Sequence, residues 1–149
     1  MSCTICAKAA LLIESLTGNT QKAGDRIAND LQQVGWTITG VSRVKLPDFG
    51  SVQEADMIIV GTWVHGLFVV GQAPWGLGAI SHLPAMQGKK AAVFCTFALN
   101  PAKTLDKMTS IISGIGADVI GGLAMNRMKL DKNTDEFAGR LLEVAPSLV

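Results

Sequence analysis

Ser15–Leu16–Thr17–Gly18–Asn19–Thr20 stands between two dissimilar patterns. Before it runs Ala9–Ala10–Leu11–Leu12–Ile13, an apolar run bounded by turn residues, which reads as a buried parallel strand. After it, Ala23, Ile27, Leu31 and Val34 fall on one stripe of a helix that stops at Gly35. The hexapeptide is therefore the turn from the carboxyl end of a strand to the amino end of a helix. Helix amino ends carry unpaired N–H groups and a partial positive charge, so they attract anions. Three hydroxyls and one side-chain amide in six residues add hydrogen-bonding groups, and Gly18 lets the backbone approach a ligand closely. Together these features describe a phosphate cradle. The competing reading is a polar strand-to-helix turn with a good cap.

The absence of a cation narrows the choice of phosphate. A triphosphate loop of the Walker type needs a Lys directly before its Ser or Thr, whereas the first cation here, Lys22, is already inside the helix. No Gly-x-Gly-x-x-Gly is present for a dinucleotide pyrophosphate. A hydroxyl-rich loop without a cation suits a single terminal phosphate.

Farther along, Trp36–Thr37–Ile38–Thr39 alternates as a half-exposed strand does, and Gly40, Pro47, Asp48 and Gly50 then break into loop. Asp56–Gly61 is a third, apolar strand, followed by a stretch from Thr62 to Gly71 too rich in glycine for regular structure. Leu77, Ile80, Leu83 and Met86 recur at helical spacing between Pro74 and Met86. Lys90–Cys95 is a fourth strand ending in the loop Thr96–Leu99, and Asn100–Pro101 starts a helix that buries Leu105, Met108, Ile111, Ile112 and Ile115. Val119–Met125 is a fifth strand. Asn133 and Glu136 form a capping-box-like start to a last helix with Phe137, Leu141 and Leu142 on its apolar side. Five alternations of strand and helix predict a parallel sheet covered on both faces. The loops at Ser15, Trp63 and Phe97 follow strands one, three and four, and converge beyond their carboxyl ends, where such folds bind ligands.

Ser-x-Thr-Gly-Asn-Thr after a first strand, together with the Thr62–Trp63 pair after the third, resembles the flavodoxin family. The resemblance covers essentially the whole chain in element order and length, matching the family's short form. It implies an α/β doubly wound three-layer sandwich, residues 1–149 as one domain, with a five-stranded parallel sheet in the order 2-1-3-4-5. It also implies a noncovalent FMN. The phosphate would be held by Ser15, Leu16, Thr17, Gly18, Asn19 and Thr20, and the flavin ring contacted by Thr62, Trp63, Val64, His65, Gly66, Thr96, Phe97 and Ala98. Trp63 would stack on the isoalloxazine, since a flat ligand gains apolar area and offset stacking against indole; a core tryptophan is the alternative. Gly66 would supply a turning peptide, or is a plain turn glycine. His65, the one titratable side chain from Thr62 to Gln72, would tune the flavin when protonated, or points into solvent. Three features depart from the family pattern: the chain has no Tyr to cover the second flavin face, no acidic residue in Thr96–Leu99, and a net charge of only +1.

Composition bounds the remaining classes. No apolar stretch approaches the ~20 residues that span a bilayer, and Met1–Cys6 lacks the pattern of a secretory signal, so a cytoplasmic, membrane-free protein is expected. A near-neutral chain without runs of like charge argues against a nucleic-acid binder. Cys3-x-x-Cys6 precedes the first strand rather than a helix, and Cys95, His65 and His82 have no paired spacing, so neither a redox pair nor a metal is expected. Lys89–Lys90 read as a solvated turn, Met108 and Met125 as core. No catalytic constellation of the protein's own is visible. The leading expectation is a monomeric one-electron carrier between redox partners, a flavoprotein or iron–sulfur reductase and an electron acceptor. The alternatives are an NAD(P)H-dependent flavin or quinone reductase on the same fold, and a flavin-free interaction module.

Overall fold

Strand β1 (Lys8–Ile13) buries five residues in succession after Lys8, as a strand covered on both faces must. The computed structural model describes residues 8–13, 19–44, 46–63, 89–97, 104–126 and 129–144. In order, β1 is followed by α1 (Asn19–Gln33), β2 (Thr37–Arg43), α2 (Phe49–Glu54), β3 (Met57–Trp63), β4 (Lys90–Phe97), α3 (Thr104–Gly114), β5 (Asp118–Asn126) and α4 (Leu130–Val144). The expected helix over Pro74–Met86 lies outside the described residues, as does the glycine-rich stretch from Val64 to Gly71.

The sheet is parallel throughout, in the order β2-β1-β3-β4-β5. Side chains alternate across it. Ala9, Leu11, Ile13, Met57, Ile59, Ala92 and Phe94 pack with Ala23, Ile27 and Leu31 of α1 and Phe137 and Leu141 of α4. Ala10, Leu12, Ile58, Val60, Ala91, Val93 and Cys95 pack with Val52 of α2 and Met108 and Ile112 of α3. Two cores thus flank one sheet, which is the three-layer, doubly wound architecture. Arg26 and Asp135 bridge α1 and α4 at 3.3 Å, but both are substantially exposed; a pair of that kind contributes about 0–1 kcal/mol, so apolar packing holds the two helices.

Several boundaries differ from those the sequence predicts. Helix α1 ends at Gln33, and Gly35 (φ 101°) closes it as Gly35 N–H donates to Gln32 O and Trp36 N–H to Leu31 O. Val34 falls in that turn and is 51% exposed, so it is not part of the buried stripe. Gly40 does not end β2: the strand continues to Arg43, and a Cβ at Gly40 would run into the Ser51 hydroxyl of α2. Helix α2 fills what reads as loop, capped by Asp48, whose Oδ1 accepts from Gly50 N–H. Helix α4 begins at Leu130, upstream of Asn133, and Thr134 Oγ1 donates back to Leu130 O inside it. Lys89 is not a solvated turn residue. Its ammonium donates to Gln53 O and Ala55 O at the end of α2 (3.0 and 2.7 Å), while Lys90 pairs with Asp118.

Candidate functional site

One row of the ladder runs Arg43, Ile13, Gly61, Phe94 and Leu123 across β2, β1, β3, β4 and β5. Among the described residues β1 reaches that row, and β3 continues through Thr62 and Trp63 and β4 through Cys95, Thr96 and Phe97. The chain order reverses between β1 and β3. Open α/β sheets bind ligands at such switch points. Trp63 and Phe97 are the last residues of their strands rather than members of loops.

Helix α1 starts at the carboxyl edge of the sheet, beside the end of β4. Its first turn contains no acidic residue, so nothing there offsets the partial positive charge of a helix amino end. Thr20, second in the helix, is buried, and its Oγ1 lies 2.8 Å from Oγ1 of Thr96 at the end of β4. Strand alternation explains the meeting: Ala92, Phe94 and Thr96 share a face, and that face carries α1. Thr62 is fully buried within β3.

Gly61 lets the ring of its ladder partner Phe94 lie across β3. A Cβ there would fall among the outer atoms of the Phe94 ring. Phe94 is itself fully buried and held edge-on by Phe137, with ring centroids 5.6 Å apart and planes at 68°. A side chain at the position before Thr62–Trp63 is thus excluded by packing. Cys95, next to Thr96, faces the opposite core, and burial pushes its thiol up to about 12. It stays protonated and inert at neutral pH.

Of the residues expected at the site, Asn19 and Thr20 open α1, Thr62 and Trp63 end β3, and Thr96 and Phe97 end β4, all along one edge. The structure brings Thr20 and Thr96 into contact. Ser15, Leu16, Thr17, Gly18, Val64, His65, Gly66 and Ala98 lie outside the described residues, as do Cys3 and Cys6. The contact between Thr20 and Thr96 and the Gly61–Phe94 packing went unread in the sequence. Strand alternation from Phe94 would have put Thr96 on the α1 side. Among the described residues no group of His, Cys, Asp and Glu side chains could hold a metal, and no helix is long and apolar enough to cross a membrane.

A family model described as "Flavodoxin domain" matches residues 10–113, from β1 into α3. The chain belongs to the flavodoxin family. Solved flavodoxins share the fold. One from Streptococcus pneumoniae TIGR4 superposes with a TM-score of 0.71 at 22% identity, covering 92% of this chain and 99% of that one. A flavodoxin from the domain Archaea gives 0.70 at 17% identity, covering 95% and 98%. Two-electron reduced Megasphaera elsdenii flavodoxin gives 0.69 at 20% identity, covering 89% and 98%. No curated protein matches the chain. Flavodoxin-family members bind flavin, usually FMN, and the five-stranded sheet in the order 2-1-3-4-5 is that family's fold.

Proposed function

We propose that this chain binds one FMN at the carboxyl edge of its sheet and passes single electrons between protein partners in the cytoplasm. The observation that carries the reading is the head of α1: a helix start free of acidic residues, with a buried Thr20 hydroxyl, at the point where the sheet order reverses. That donor set fits a phosphate. Bound there, FMN supplies one-electron redox chemistry.

The protein's residues bind, orient and exclude water. Asn19 and Thr20, with Ser15, Thr17 and the backbone of Leu16 and Gly18, would hold the phosphate. Thr62, Trp63, Val64, His65 and Gly66 on one side, and Thr96, Phe97 and Ala98 on the other, would contact the ring. The fitting partners are a flavoprotein or iron–sulfur reductase and an electron acceptor, met by a monomer. Anaerobic potentiometric titration of the FMN-loaded protein tests the carrier role. Two well-separated one-electron steps are expected, with no reduction by NADPH alone. Rapid bleaching by NADPH without a separate reductase would identify an enzyme instead and overturn the carrier reading.

A further inference from the structure

The hydroxyls of Thr20 and Thr96 are both buried and 2.8 Å apart, although 76 residues separate them. Two hydroxyls bring two protons, and their shared hydrogen bond uses one. Among the described residues neither hydroxyl has a second side-chain or backbone partner, so no acceptor there takes the second proton, and a buried donor left without an acceptor is costly. We propose that Thr96 donates to Thr20, and that Thr20 gives its own proton to the phosphate in front of α1. Thr96 is then a positioning residue that sets the preference for the phosphorylated flavin. This rests on the FMN reading above.

Electrostatics select the direction. Either oxygen can act as donor at this separation. In the reverse arrangement Thr20 spends its proton on Thr96 and turns a lone pair toward the anion, which is repulsive. With Thr96 donating, both protons have acceptors. Accepting a bond also polarises the Thr20 hydroxyl and strengthens it as a donor, and hydrogen bonds to charged acceptors are the stronger kind. The placement suits this role, because Thr20 is the second residue of α1 and Thr96 approaches it from the strand side, behind the helix start.

Dissociation constants for FMN and riboflavin, measured by flavin fluorescence quenching on wild type, Thr96→Val, Thr96→Ser, Thr20→Val and the Thr20→Val/Thr96→Val double variant, test this. Thr96→Val should weaken FMN binding roughly tenfold more than it weakens riboflavin binding, the scale of one hydrogen bond to a charged group. Thr96→Ser should restore the preference, and the double variant should match Thr20→Val alone. A Thr96→Val protein that keeps the wild-type FMN-to-riboflavin ratio, or that loses both flavins equally, would overturn the role of Thr96. Should Thr96→Val fail to fold, Thr96→Ala removes the same hydroxyl with less bulk and is judged by the same ratio. A wild-type protein with no preference for FMN over riboflavin would overturn the FMN reading itself, a different result from a preference that survives the loss of Thr96.

Discussion

Gly61 shows how one missing carbon shapes the site. The ring of Phe94 occupies the space where a Cβ would stand, and Phe137 closes off its retreat on the α4 side. Gly61→Ala should therefore destabilise the fold by about 1–3 kcal/mol, the usual cost of overpacking a filled core, measured as a lower urea midpoint at unchanged slope. An unchanged midpoint would mean that Phe94 yields freely. The reason for Gly61 is not legible in the sequence, where it reads as the end of an apolar run. A close approach depends on a partner thirty-three positions away, and only the β3–β4 register supplies it. The residue types of the phosphate cradle are legible for the opposite reason. Hydroxyls, an amide and a glycine packed into six consecutive residues need no long-range information to be recognised.

Among the elements, long periodic segments read well and short ones do not. β1, β3, β4, α1 and α3 are visible because burial on one or both faces imposes a pattern over many residues. α2 has only six residues, too few for a helical period to show. It is held by what surrounds it: the Asp48 cap at its start, Thr39 Oγ1 donating to Ser51 O, and the Lys89 ammonium on carbonyls at its end. Gly40 misleads because a strand glycine looks like a break until the helix packed on it is known. The Asn133–Glu136 cap misleads because tertiary burial of Leu130 extends α4 past it. The Asp48 carboxylate makes a prediction. Hydrogen bonds from Ser51, foremost its side chain, and then from Gly50 hold its pKa below the usual carboxylate value. A folded-state pKa below the unfolded one gives stability that is present above the unfolded value and lost as pH falls through the folded one. Asp48→Asn keeps an acceptor for Gly50 N–H but removes the charge. The variant should therefore melt below wild type at pH 7, and the gap should close below about pH 4. A gap independent of pH would show that the charge contributes nothing.

For the whole molecule, the alternation of five strands with helices makes the parallel sheet legible, and the fold follows. The register of the strands at the carboxyl edge is not legible, because it depends on how each strand aligns with its neighbours: past the row of Ile13, the ladder runs on through Thr62 and Trp63 of β3. The proposed function stands or falls on whether the head of α1 holds the phosphate of FMN. A side-by-side titration of the purified protein with FMN and with riboflavin, which differ only in that phosphate, decides it. Much tighter binding of FMN is predicted. Equal affinities, or no binding of FMN at all, would contradict it.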